Sequence, residues 1–179
     1  NGLQLAMLES RMPKGKVVVP YGGGVNSVAM LLLLRDLGIV PFAIVMTDPG
    51  AEKKATEVHR DEVMNAWCAA NNFPAIAVRS RKLMSLERPR AWRGETFGDP
   101  LENSRFVPWY PLYDANIDRA GCVAMILAEG LPLPPKSSCV FCPNHKLEEW
   151  QDMRANHPDD FARAVAMSRQ AVIDQPDVV

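Results

Sequence analysis

The run Lys16-Val-Val-Val-Pro20, followed without a break by Tyr21-Gly22-Gly23-Gly24 and then by the apolar stretch Ser27 to Leu37, restricts the fold more than any other feature of the chain. β-Branched residues favour extended backbone, and consecutive glycines allow a tight turn that side chains would block. An apolar segment of helical length, stopped by Gly38, reads as a buried helix. A strand, a glycine loop and a helix in that order present backbone N–H groups and the positive end of a helix dipole to an anion, most often a phosphate.

The following residues repeat the alternation. Phe42-Ala-Ile-Val-Met-Thr47 has the continuous apolar character of a strand covered on both faces, and Asp48-Pro49-Gly50 ends it with a turn. Ala51 to Asn71 has the pattern of a long amphipathic helix with Val58, Val63, Met64 and Trp67 toward the core, and Ala75-Ile-Ala-Val-Arg79 reads as a third strand. A β-α-β-α-β order implies a parallel sheet. From Arg79 to Arg93 the character changes: six basic residues (Arg79, Arg81, Lys82, Arg88, Arg90, Arg93) stand against the single acid Glu87, and a polar stretch continues to Pro111. This segment reads as a loop or lid, either simply solvated or with its arginines gripping a phosphate, a sulfate or an RNA backbone. Asp118 to Glu129 reads as a helix carrying Cys122, ended by Gly130-Leu-Pro-Leu-Pro-Pro135, and Lys146 to Asn156 and Asp159 to Ile173 read as two closing helices.

Composition narrows the function. Lys and Arg number 20 against 21 Asp and Glu in 179 residues, and the pI near 6.4 argues against a polybasic nucleic-acid module, for which values above about 9 are usual. The longest uninterrupted apolar run, Val28 to Leu34, falls short of the roughly 20 residues that span a bilayer. Asn1 to Met12 lack the features of a secretory signal, so a cytoplasmic location is expected. Four cysteines are too few for a disulfide scaffold, and Cys139-Val-Phe-Cys142 reads as a metal or redox motif.

Three phosphate-binding fingerprints compete for the glycine loop. The pattern G-x-x-x-x-G-K-[ST] fails because no Lys follows the glycines. The dinucleotide pattern G-x-G-x-x-G fits Gly22 and Gly24 but meets Ser27 at its third glycine, with Asp48 as the ribose acid. Gly22-Gly-Gly-Val-Asn-Ser27 resembles the S-G-G-x-D-S loop of the PP-loop superfamily, the adenine nucleotide alpha hydrolases that include ATP pyrophosphatases, thiolation enzymes and phosphoadenylyl sulfate reductases. The resemblance places Gly22 at that family's Ser and Asn26 at its Asp, and implies that Gly23, Gly24 and Ser27 hold the phosphate or sulfate end of the nucleotide. Neutral Asn26 is a poorer ligand than Asp for Mg²⁺. Thr47-Asp48-Pro-Gly-Ala-Glu52 resembles the family's second-strand end, where an acidic residue lies beside the nucleotide, and a turn or helix cap is the other role open to Asp48 before Pro-Gly.

The cysteine passage Gly130-Leu-Pro-Leu-Pro-Pro-Lys-Ser-Ser-Cys-Val-Phe-Cys-Pro, with Glu148-Glu-Trp150 after it, resembles uncharacterised phosphoadenosine phosphosulfate reductase-like proteins of phages and bacteria. That resemblance runs from Val17 to about Met167. It implies an open parallel sheet of about five strands with helices on both faces, Rossmann-like in type. The whole chain, 1–179, would then form one nucleotide-binding domain whose cysteine-containing part begins near residue 118. Cys122, Cys139 and Cys142 are the candidate ligands of an iron–sulfur cluster, expected as [4Fe-4S], or of zinc; the fourth ligand is open among His145, water and substrate. A dithiol and disulfide cycle of Cys139 and Cys142 without metal is the other reading. Cys68, in a helical apolar setting, reads as a small core hydrophobe, and His59, His145 and His157 as solvated surface residues. True sulfonucleotide reductases carry a tail thiol, which Gln170 to Val179 lacks. The expected activity is sulfonucleotide reduction or nucleotide-dependent sulfur transfer on ATP or phosphoadenylyl sulfate, with a thiol or electron-donor protein as partner. The rival expectations are ATP-dependent adenylation or thiolation of a nucleic acid or small molecule, and a non-catalytic nucleotide-binding subunit with structural zinc.

Overall fold

A computed structural model describes residues 10–12, 14–48, 50–80, 108–142 and 144–174. Three strands, β1 (Val18–Pro20), β2 (Ala43–Asp48) and β3 (Ile76–Ser80), form a parallel sheet in the order β1-β2-β3. Helix α1 (Val25–Asp36) joins the first two. The second crossover is α2 (Lys54–Val58), a π-helical turn (His59–Met64) and α3 (Asn65–Ala70). After the basic segment come α4 (Pro111–Asp114), α5 (Arg119–Ala128), α6 (Leu147–Asn156) and α7 (Pro158–Asp174).

The sheet is packed on one side. Val19 pairs with Ile44, and Ile44 with Ile76, so these three share a face; Met46 lies two residues further along that face, and all four are buried. The opposite parity is wetter: Val18, Pro20 and Ala77 are exposed, and Ala43 and Val45 half-buried. Two right-handed crossovers stepping the same way across a sheet lay their helices on the same face, which accounts for the asymmetry. The expected parallel α/β arrangement is therefore present with three strands, and the covered second face and further strands of the expectation are not found among the described residues.

The helical crossover departs from simple 3.6 periodicity. The π turn inserts a wider i→i+5 step and turns the buried stripe through Thr56, His59, Arg60, Met64, Trp67 and Cys68. Met64 and Trp67 are core as expected, Val63 is half-buried, and Val58 is exposed, a correction to the helical reading. The solvated role expected of His59 is corrected by the same shift: its ring is buried, with Nε2 3.2 Å from the Pro132 carbonyl.

Apolar from Val28 to Leu34, α1 sits between the sheet and α5, where Leu31, Leu32 and Leu34 meet Cys122 and Ile126 in one core cluster. It ends where Gly38, at φ +70°, adopts the left-handed conformation that glycine tolerates best. Arg35 pairs with Glu129 and lies 5.5 Å from the Trp67 ring centre, while the Trp67 indole donates to Glu129 at 2.9 Å. A second, smaller cluster of Ala51, Val140 and Ala164, with Cys139, Trp150 and Met167 against it, ties α6 and α7 to the turn after β2. Asp160 sharpens that attachment: its carboxylate accepts the Lys54 N–H at 3.2 Å at the start of α2 and pairs with Arg163 at 3.0 Å. Arg163 in turn donates to the carbonyls of Glu52 and Gly50.

Candidate functional site

The glycine loop leaves the C-terminal end of β1, where ligands of parallel sheets are usually held. Tyr21 extends the pairing by donating its N–H to the Val45 carbonyl at 2.8 Å, and its ring is buried. Gly23 then takes φ +72°. A Cβ there would stand 2.4 Å from the Thr56 methyl, so both the backbone angle and the space demand glycine. Gly24 precedes α1 with extended backbone, without a side-chain cap and without an acid in the first helical turn. The first amides of the helix have no intrahelical partners, and no acid in its first turn offsets their dipole.

Of the predicted anion-site residues, Gly22, Gly23 and Gly24 form this loop and Asn26 and Ser27 stand in the first turn of α1, with Gly22 and Asn26 exposed and Ser27 half-buried. The Ser27 hydroxyl oxygen accepts the Gly22 N–H at 3.0 Å and so holds the loop in shape. Thr47 is exposed at the end of β2. Asp48 accepts the Gly50 N–H at 2.7 Å, which gives it the turn-capping role, and its charge acts on Glu52 and Arg60.

The cysteine turn reaches the same end of the sheet. Glu52 and Cys139 form an antiparallel bridge, and Val140 donates its N–H to the Ala51 carbonyl at 2.8 Å. The Cys142 N–H then bonds the Cys139 carbonyl at 3.1 Å, so the two thiols belong to one tight turn, and both are free and half-buried. Burial, with the neighbouring Cys142, pushes the Cys139 thiol up. Glu52 is 8% exposed with Oε1 unpartnered among the described residues. Burial raises its carboxyl pKa, and the Asp48 and Glu57 charges act in the same direction.

Cys122 lies elsewhere. It is 1% exposed on α5 and packs into the main core, whereas Cys139 packs with Ala51 and Val140 in the second cluster. Among the described residues no three His, Cys, Asp or Glu side chains converge to hold a metal. Cys139 and Cys142 supply two donors, and a tetrahedral zinc or four-iron cluster needs two more. The described residues thus do not fit either group. Cys68 is fully buried as a core hydrophobe, its thiol pushed up to about 11 by desolvation.

His145 also corrects the expectation of a solvated residue: it is 9% exposed. Its Nε2 lies 2.9 Å from the Ser138 hydroxyl, and its ring meets Trp150 edge-on at 5.0 Å. Burial, helped by the Lys53 charge, lowers its pKa. His157 is exposed, as expected.

Three contributors went unforeseen. Ser137 places its Oγ 2.9 Å from where a Gly24 Cβ would stand, Thr56 lies against Gly23, and Glu52 borders the cysteine turn. The signal for Ser137 was the Ser-Ser pair before the first cysteine, and that for Glu52 an acid just past the Asp-Pro-Gly turn; Thr56 offered none. A cleft of about 330 Å³ bounded by Lys53, Lys136, Glu148, Asp152 and His157 lies between α6 and the start of α2, and no predicted site residue lines it. The basic run expected to grip an anion falls, from residue 81 on, outside the described residues.

No family model, no curated protein and no solved structure matches the chain.

Proposed function

We propose that this chain is an adenine-nucleotide-binding enzyme of the phosphoadenosine phosphosulfate reductase-like kind, built on a PP-loop fold, and that it acts on a sulfonucleotide through a dithiol. The observation that supports this most is the convergence of two elements far apart in sequence. An uncapped glycine loop and helix N-terminus suited to an anion meets, through Ser137 and the Glu52–Cys139 bridge, a turn bearing two free thiols.

The chemistry follows from that pairing. The Cys139 thiolate attacks the sulfur of a bound phosphoadenylyl sulfate, the S–O bond breaks with its electron pair leaving on the nucleotide phosphate, and Cys139 carries an S-sulfonate. The Cys142 thiolate then attacks the Cys139 sulfur, expelling sulfite and closing a disulfide. A dithiol donor protein returns two electrons and two protons to the pair. Glu52, buried beside Cys139, is placed to accept the thiol proton. No step requires a metal.

Purified protein incubated with phosphoadenylyl sulfate and a small dithiol tests the reading. Sulfite release that is lost in Cys139→Ser is the expected result. Pyrophosphate from ATP without sulfite would shift the function to ATP-dependent activation. Iron with acid-labile sulfide in protein purified without oxygen would replace the dithiol by a cluster, and binding of neither nucleotide would refute the proposal.

A further inference from the structure

We propose that the cleft between α6 and the start of α2 binds a small zwitterion with a cationic end, an α-amino acid whose side chain carries a guanidinium or an ammonium group. The inference goes beyond the thiol chemistry and does not depend on it. The cleft encloses about 330 Å³, within the range of small-ligand pockets. Its lining is divided by chemistry. Ala55, Pro135 and Met153 give it an apolar part, with Met153 buried and the other two half-buried. Charged side chains border that part from two elements, Lys53 immediately before α2 and Glu148 and Asp152 on α6.

Other charges around the cleft are matched within the protein. Asp160 accepts the Lys54 N–H and pairs with Arg163, while Glu149 accepts the Lys146 N–H at 2.9 Å and pairs with Lys136. Lys53, Glu148 and Asp152 are not matched. Lys53 is half-buried without an ion pair among the described residues, Glu148 likewise has none, and Asp152 meets only the neutral Asn156 amide at 2.7 Å. Glu148 and Asp152 stand four residues apart on one helix, which makes their side chains neighbours on one face. A guanidinium or ammonium group set between them meets two anions. An aliphatic stem then covers the apolar part of the lining, as the stems of long cationic side chains do, and a carboxylate at the other end meets Lys53. One unmatched lysine against two unmatched acids leaves a net negative charge, and an amino acid with a cationic side chain carries a net positive one, so the two are complementary in sign. A free phosphate or sulfate would face two carboxylates for one lysine and is disfavoured.

Amide shifts of the ¹⁵N-labelled full chain, followed during titration with L-arginine, with agmatine and with L-leucine, test the assignment. Agmatine lacks the carboxylate, and L-leucine lacks the side-chain cation. L-Arginine is expected to shift the amides of residues 53–55 and of α6. Exposed ion pairs are worth up to about 1 kcal/mol, so agmatine and L-leucine are each expected to bind at least about threefold more weakly than L-arginine. Lys53→Met is expected to bring L-arginine down to the agmatine value and to leave agmatine unchanged. Glu148→Gln combined with Asp152→Asn is expected to weaken both cations, and these exposed isosteric changes leave the melting temperature in place as a check on folding. If L-arginine shifts none of these amides, the proposal fails. If agmatine binds as well as L-arginine and Lys53→Met changes neither, the cleft only attracts cations and the zwitterion assignment is overturned. If the carboxamide variant binds L-arginine as wild type does, the two acids are not ligands and the proposal fails as well.

Discussion

Replacing Gly23 by alanine separates the two demands placed on that residue. Holding a residue with a Cβ at φ +72° costs about 1–2 kcal/mol. The new methyl would also stand 2.4 Å from Thr56 Cγ2, and overpacking of this kind adds about 1–3 kcal/mol. The sum, about 2–5 kcal/mol, compares with a total stability of about 5–15 kcal/mol for a domain. At about 2–4 °C per kcal/mol for a chain of this size, the melting temperature falls by about 4–20 °C. Gly38→Ala is the internal reference: Gly38 has φ +70°, and its Cβ would meet nothing within 4 Å, so it reports the backbone contribution alone. Thr56→Ser in the Gly23→Ala background removes the colliding methyl and is expected to recover the steric part while leaving the backbone part. Urea titrations of wild type, Gly38→Ala, Gly23→Ala, Thr56→Ser and the Gly23→Ala/Thr56→Ser double variant give the cycle. A Gly23→Ala loss no larger than that of Gly38→Ala would show that the Thr56 methyl does not pack on the loop.

Further outcomes follow from burial and charge. In native protein at pH 8 a thiol reagent is expected to react quickly with Cys139 and Cys142 only, because Cys68 and Cys122 are closed off from solvent at 0% and 1% exposure while Cys139 and Cys142 are half-buried; a count other than two fast thiols refutes the placement. His145 has its pKa lowered by burial, so its contribution to stability is present above its unfolded value near 6.5 and is lost as the pH falls through that value toward the folded one. Glu52 is raised, so its contribution is present below its unfolded value near 4.3 and is lost as the pH rises through the folded one. Urea midpoints across pH are expected to show a shallower acid-side loss in His145→Gln and a shallower loss on raising the pH in Glu52→Gln, and unchanged slopes would contradict both. Asp160→Ala removes the Lys54 cap and the Arg163 pairing and is expected to cost about 1.5–3 kcal/mol, the range for hydrogen bonds to a charged group; differential scanning calorimetry showing no loss would dissolve the link between α7 and the start of α2.

The strand, glycine loop and first helix were legible because each rests on local chemistry: β-branched residues, glycines that allow tight turning, and an apolar run of helical length. The second crossover was legible only in outline. A 3.6-residue period carries no sign of a π turn, and the wider step at His59–Met64 exposed Val58 and buried His59 and Arg60. Cys122 shows a signal weighed unevenly. Gly-Cys-Val-Ala-Met-Ile is as helical and apolar as the setting that marked Cys68 as core, and the structure gives the two cysteines the same fate. His145 looked solvated because its neighbours Asn144 and Lys146 are polar, yet an edge-on contact with Trp150 and a bond to Ser138 bury it. The approach of Ser137 to Gly24 joins residues more than a hundred positions apart, and no local propensity encodes such a pairing.

The C-terminal helices make the site by what they hold rather than by what they contribute to it. Arg163 grips the carbonyls of Gly50 and Glu52, Asp160 caps Lys54, and Ala164 packs with Ala51 and Val140. Every one of these contacts lands on the turn between β2 and α2, on the first residue of α2 or on the cysteine turn bridged to it. That turn leads directly to Thr56 at Gly23, and the cysteine turn leads back to Ser137 at Gly24. Two walls of the glycine loop are thus fixed from the same clamp, so loosening α7 would shift the hydroxyls and the thiol pair together.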